Sequence, residues 1–357
     1  MNTIQFDIFD QDQLSEHITI GASVYSCPEV IDPDHLRWKH LQNPYGSSTS
    51  ISLRNEFGVL IGRSFIQPRT FWVTPFASCC GATITDLVIM PAERSAESLI
   101  GMTRAIKSPE GVDVVVHTSN DNSDLIYRKL FKFPVAFTLT AIGLPLRVSN
   151  ILKSYFTNQV LIKVVELLVS PWRLVLGASA LIMGAVCGIR LAAQPTADVM
   201  SEIFEEYRQH AGSHFERGQH FLEWRFSSGP LFNGKIEWVW SQGQCVGYLA
   251  FKRVVLGGLD IFVILDVVLR RRLTLQEGIA LKFIAARLAI DSSCDAIFTL
   301  VNLESPALKW LKGFPFFHIP DRHLPHPTPI FIHASNEHRS LEKQADVFFT
   351  LADLDYF

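Results

Sequence analysis

An internal repeat limits the folds open to this chain. Near residue 35 it reads His35-Leu36-Arg37-Trp38-Lys39-His40, and near residue 221 it reads Phe221-Leu222-Glu223-Trp224-Arg225-Phe226. Each stretch is followed by a pair of strand-like runs with a glycine early in the second, GVLIGRSFI at 58–66 and QCVGYLAFK at 244–252. Two longer apolar strands come next, each with one aspartate: Thr85-Asp86-Leu87-Val88-Ile89 and Leu265-Asp266-Val267-Val268-Leu269. After a helix-like stretch come DVVVHTSN (113–120) and DAIFTLVN (295–302). Last are SDLIYRKLFKF (123–133) and SPALKWLKGF (305–314), whose i, i+3, i+4 spacing predicts a helix. The offset drifts from 186 residues at the tryptophans to 182 at the last pair. Chance supplies one such match, not five in the same order.

Each copy therefore reads as antiparallel strands, a central strand, a helix, a strand, a helix and a strand. That order implies an α/β (α+β) fold with a mixed sheet and helices on its faces. The expected units are an N-terminal domain at 1–147 and a C-terminal domain at 196–357, joined by 148–195. A chain of 357 residues is long for one core and sufficient for two. With 48% hydrophobic and 19% charged residues it is globular rather than disordered. A net charge of −3 offers no basic field, so no nucleic-acid partner is expected. The cysteines (Cys27, Cys79, Cys80, Cys187, Cys245 and Cys294) form no C-x-x-C pair and read as reduced thiols of a cytoplasmic protein. The N-terminal run MNTIQFDIFDQDQ is acidic and does not read as a secretory signal.

With these motifs laid out, the chain resembles the GNAT acyltransferase family in its tandem form. In that family the central strand ends in a V-x-P-x-x-R-x-x-G-x-G/A turn, whose backbone N–H groups at a helix N-terminus hold the pyrophosphate of acyl-CoA. Here Pro91 and Arg94 match, Val88 stands one residue ahead of the motif's valine, and Glu97 replaces a glycine. The resemblance implies cofactor contacts at Val88, Met90, Arg94, Ser95, Ala96 and Ser98. Asn120 through Phe133 is similar to the family's later N-x-x-(S/A)-x-x-x-Y-x-K-L-G-F segment, with Phe131 at the glycine. This adds Asn120 to the cofactor contacts. It also places Tyr127 on the tyrosine that protonates the departing CoA thiolate. The second copy keeps Gly313-Phe314 but has Lys309 in place of that tyrosine.

Asp86 lies where the family often places a general base. An attacking amine must lose a proton, which a carboxylate takes directly or through water; the alternative role is a backbone cap. Arg270, Arg271 and Arg272 start a helix in the second copy and oppose its dipole, so they call for Glu277 or an anion as compensation. Trp38 and Trp224 read as packing anchors. The sets His210/His214/His220 and His318/Asp321/His323/His326 match no strong metal motif, and no metal is expected.

Between Arg173 and Arg190 the run LVLGASALIMGAVCGI carries no charge and follows an amphipathic stretch at 160–169. Ser170-Pro171 predicts a break between the two, and hence an apolar helical hairpin. Its glycines Gly177, Gly184 and Gly188 permit close packing. A spanning helix needs about 20 apolar residues. The readings are a hairpin buried against the domains or one making peripheral membrane contact through 159–193 at the inner face.

The expected function is transfer of an acyl group from a thioester, acyl-CoA (acetyl-CoA included) or an acyl carrier protein, to the amine of a small-molecule acceptor. Asp86 and Tyr127 would be the catalytic pair. Two alternatives remain: a non-catalytic scaffold of the same fold, and an aminoacyl-tRNA-dependent transferase, which the charge balance disfavours.

Overall fold

The computed structural model describes residues 2–107, 109–119, 121–153, 159–232, 234–324 and 328–354. The N-terminal half contributes β1 (Thr3–Ile8), α1 (Leu14–Ala22), α2 (Pro28–Ile31), α3 (Pro33–His40), β2 (Thr49–Arg54), β3 (Leu60–Thr74), β4 (Ala77–Ile89), α4 (Ala96–Lys107), β5 (Val114–Thr118), α5 (Asp121–Leu125), β6 (Val135–Thr138) and β7 (Thr140–Pro145). Between the halves run α6 (Val148–Lys153), α7 (Gln159–Cys187) and β8 (Ile189–Ala192). The C-terminal half adds α8 (Ala197–Ala211), β9 (His214–Phe215), α9 (Gln219–Leu222), β10 (Lys235–Ser241), β11 (Gln244–Leu256), β12 (Leu259–Leu269), α10 (Leu275–Asp291), β13 (Ala296–Val301), β14 (Phe317–His318) and β15 (Pro329–Ala334).

These strands form two mixed sheets, ordered β1-β2-β3-β4-β5-β15-β6 and β14-β7-β13-β12-β11-β10-β8, with β9 added on β3. The halves exchange a strand. β15, from the end of the chain, lies antiparallel between β5 and β6 of the first sheet. β7 lies between β13 and β14 of the second. Each sheet is therefore completed by the other half, and a two-sided alternation of apolar residues does not encode which sheet a strand joins.

The tryptophans explain how the halves meet. Trp38 and Trp224 stack at 5.1 Å with an interplanar angle of 23°. The Trp38 indole N–H donates to the Trp224 carbonyl at 2.8 Å, and the Trp224 N–H donates to the Trp38 carbonyl at 3.0 Å. Reciprocal contacts of this kind mark a twofold relation, and each buried indole gets the partner it needs.

The registers match too. Gly62 of β3 faces Ile89 of β4, and Gly247 of β11 faces Leu269 of β12. Gly247 has φ 152°, and a Cβ there would stand 1.9 Å from the Val268 carbonyl oxygen, so no side chain fits.

α7 differs from the sequence expectation. The break at Ser170-Pro171 does not occur, and a single helix of 29 residues runs through Pro171. Proline forfeits one backbone hydrogen bond, but packing on α10 beyond it holds the helix together. Leu176 and Ala180 are buried, and Gly184 approaches Ile284. Gly188, at φ 64°, ends the helix.

Candidate active site

The central strand β4 pairs in parallel with β5 only over Gly81–Thr83 against Val114–Val116. β5 then stays in register with β15 as far as Thr118, while β4 continues to Ile89 on its own course. A wedge opens between the two strands. At its edge the β3–β4 ladder slips between Arg63 and Phe65, and Asp86 takes φ 52°. Aspartate tolerates that left-handed conformation better than most residues.

Asp86 is nearly buried. Its Oδ2 accepts from Lys39 Nζ at 3.0 Å and from His40 Nε2 at 3.1 Å, both on α3. Burial alone would raise its carboxyl. The Lys39 ammonium, the His40 hydrogen bond and Arg63 outweigh burial and hold it well below the usual carboxylate range. Burial also depresses His40 to about 3, so its ring is neutral. With Nε2 donating to Asp86, Nδ1 accepts from Ser48 Oγ at 3.0 Å. Asp86, His40 and Ser48 thus have the connectivity of a proton relay, yet His40 and Ser48 are fully buried. The relay therefore runs inward and ends at Ser48.

Tyr127 sits in a different cluster. Its ring packs edge-on against His117 at 5.0 Å and Phe331 at 5.6 Å. Burial pushes its phenol up, partly countered by a hydrogen bond with Ser123. His117 on β5 and His333 on β15 face each other beside it, Nε2 to Nε2 at 3.0 Å. Burial lowers the pair to about 3 and about 4, which leaves both neutral. Phe65, which stacks on His40, and Ile66, in the Tyr127 cluster, are successive residues of β3. Successive strand residues point to opposite faces, so Asp86 and Tyr127 flank the first sheet from opposite sides and do not share one pocket.

The expected phosphate turn follows β4 directly. Val88 is buried against Ile20 and Leu60, and Met90 is half-buried beside them. A 3₁₀ turn, Pro91–Glu93, leads to Arg94, whose Nε donates to the Ile89 carbonyl at 3.1 Å. Ser95 caps α4: its Oγ accepts from the Ser98 N–H at 3.0 Å and lies 2.9 Å from the buried Ser98 hydroxyl. Arg94, Ala96 and Glu97 are exposed. Asn120 lies outside the described residues.

The second half fills its wedge. β12 pairs with β13 only over Ile261–Val263. β7 occupies the far side of β13 along its whole length, so the bridge between Val301 and Thr350 lies on the β12 side, within the wedge. Asn302 secures this segment by donating through Nδ2 to the Ala345 and Val347 carbonyls, both at 2.7 Å. Asp266, the counterpart of Asp86, accepts from Arg217 Nε at 2.9 Å, Tyr248 Oη at 2.8 Å and Thr350 Oγ1 at 2.8 Å. Arg217 also pairs with Asp353 at 2.5 Å, and Asp353 with Arg69 at 2.9 Å. Two arginines of the basic turn are paired internally: Arg271 binds Glu277 at 2.5 Å and Arg270 binds Glu206 at 2.5 Å.

Lys39 and His40 directly follow the anchor Trp38 in the sequence. The signal available was two polar residues immediately after an apolar anchor. Arg217, Thr350 and Asp353 carried no signal, since their partners are distant in the chain. Among the described residues no group of three His, Cys, Asp or Glu side chains could hold a metal, and His326 lies outside them. A cleft of about 400 Å³ opens beside Met200, Glu223, Glu237 and Trp238. It sits at the β8/β10 edge, remote from either wedge in strand order, and is not assigned to the chemistry.

No family model and no curated protein sequence matches the chain. Its structure is similar to a GCN5-related N-acetyltransferase from Anabaena variabilis, at a TM-score of 0.57 and 13% identity over 92% of this chain and 72% of that one. It is also similar to Saccharomyces cerevisiae N-myristoyltransferase with bound myristoyl-CoA, at 0.58 and 13% over 97% and 86%. A probable N-acyltransferase from Enterococcus faecalis matches at 0.51 and 10% over 94% and 71%. The chain therefore has a GNAT-like fold of the N-myristoyltransferase type, with two mixed sheets.

Proposed function

We propose that this protein is an N-acyltransferase that binds an acyl thioester in the β4/β5 wedge and transfers the acyl group to an amine. The observation that carries the reading is the early parting of β4 from β5. β4 leaves β5 after Thr83, and its far end leads through the Pro91–Glu93 turn to the Ser95-capped N-terminus of α4. Unpaired strand edges receive an extended chain through backbone hydrogen bonds, and a helix N-terminus favours phosphate.

In this reading the amine attacks the thioester carbonyl. A C–N bond forms, the C–S bond breaks, and the amine loses a proton while the thiolate gains one. Because Asp86 and Tyr127 lie on opposite faces, this reading puts the thioester carbonyl between them, at the gap between β4 and β5, with Asp86 toward the amine and Tyr127 toward the sulfur. Asp86 is held ionised by Lys39 and His40, so it is ready to accept, though with lowered proton affinity. Tyr127, raised by burial, stays protonated and able to donate.

The donor in this reading is acyl-CoA, with an acyl carrier protein as the other thioester; the acceptor is a small-molecule amine. The test is the thermal midpoint of the chain with CoA, acetyl-CoA and a long-chain acyl-CoA, since a ligand of the folded state alone stabilises by about 2.7 kcal/mol at a hundred times its Kd. A rise that is lost in Arg94→Ala supports the reading and ranks the donors. No rise with any of them rejects CoA as donor. In that case Glu97, exposed where a glycine would admit phosphate, would favour the scaffold reading.

A further inference from the structure

α7 is the one described helix long and apolar enough to cross a membrane by length and composition. Its two faces differ. The inner face is fixed to the protein: Ile162, Leu176 and Ala180 are buried, a Cβ at Gly177 would meet Arg287 Nη1 at 3.4 Å, and one at Gly184 would meet Ile284 Cδ1 at 3.7 Å. The outer face is apolar and bare. Leu167, Leu174 and Leu181 recur every seven residues and are 75%, 77% and 68% exposed, and Val186, 73% exposed, lies beside that row. Leu168, Val175 and Ile182 widen the stripe. Contiguous apolar surface of this extent marks an interaction site.

Two observations identify the occupant. A helix of 29 residues, about 43 Å long, that is fastened along one face to an α/β body cannot cross a bilayer without drawing the body in. It can lie in the interfacial plane. The charge around it also fits a negative surface. Residues 147–190 hold Arg147, Lys153, Lys163, Arg173 and Arg190 against Glu166 alone, in a chain of net charge −3. Aromatic residues extend the same surface: Trp172 meets Phe314 at 5.8 Å, and Phe314 and Phe317 are more than half exposed. Aromatic side chains favour headgroup depth.

We propose that the outer face of α7 is a monotopic docking surface for an anionic lipid bilayer. The proposal stands independently of the acyl-transfer reading. The experiment is flotation of the full chain with vesicles of phosphatidylcholine alone, or with about one-quarter phosphatidylglycerol. The chain is expected to float with the mixed vesicles and less with the neutral ones. Leu174→Glu with Leu181→Glu should reduce partitioning at least about tenfold at an unchanged melting midpoint. The milder Leu174→Gln with Leu181→Gln should fall between native and Glu forms. Lys163→Glu should reduce it about fivefold. Two outcomes would overturn the proposal: native chain that floats with neither vesicle, or native chain that dimerises and becomes monomeric on the Leu174/Leu181 substitutions, which would give the face to a second copy.

Discussion

Asp86 and Asp266 occupy the same place in their sheets, three residues before the central strand ends and beside a slip in the ladder. Around Asp86 the hydrogen-bond partners come from a single helix, α3, and β4 has no β5 partner beyond Thr83. Around Asp266 they come from three separated stretches, and one of these, 345–353, lies in the wedge. A fold used twice has thus had the gap beside one central strand bridged by its own chain, while among the described residues the other central strand keeps no strand partner on that side beyond Thr83. The contrast teaches that an equivalent carboxylate is not an equivalent site. What distinguishes the two is whether the space beside them is taken.

The largest effect should come from breaking the closed side. Arg217→Ala leaves Asp266 buried without its cation and Asp353 with Arg69 alone, and denaturant unfolding should show a loss of about 3–5 kcal/mol. A loss below about 1 kcal/mol would mean the two wedges are alike. The junction comes next. Trp38→Ala and Trp224→Ala should each cost about 3–5 kcal/mol, and the double variant should cost less than their sum because both remove the same stacked pair.

Asp86→Asn separates the two carboxylates by function. Asparagine tolerates the φ of 52°, so the chain should fold while turnover falls about 10²–10⁴-fold. Full turnover in that variant would remove Asp86 from the chemistry. On the closed side, Arg271 and other hydrogen bonds hold Glu277 at about 2. A carboxyl depressed in the folded state stabilises above its ordinary value near 4.5 and loses that contribution as pH falls toward about 2. Glu277→Gln should flatten the acid limb of a melting-midpoint-against-pH curve, and an unchanged slope would discount the pair. The smallest change is expected from Thr85→Val. Thr85 Oγ1 is buried with no partner among the described residues, so its removal should be neutral or stabilising by up to about 1 kcal/mol in urea unfolding.

Much of the fold was legible because its signals are local. The paired motifs around Trp38 and Trp224, the glycines at 62 and 247 and the apolar central strands announced two mixed sheets. The exchange of β7 and β15 was not legible, because alternation along a strand fixes its faces and not its neighbours. The continuous α7 was missed because Pro171 was weighed by its lost hydrogen bond alone, without the α10 surface that holds the helix. At the candidate site the position of Asp86 could be read from the repeat. Its partners Lys39 and His40 come from 47 and 46 residues earlier, and Thr350 joins Asp266 across 84. Long-range pairings of this kind leave no periodic trace.

The most direct test is the stoichiometry of acyl-CoA binding by isothermal titration calorimetry. An open wedge beside Asp86 and a filled one beside Asp266 predict one acyl-CoA per chain, with binding weakened by Arg94→Ala and unaffected by Arg272→Ala. Two equivalents per chain, or none, would contradict that division between the halves.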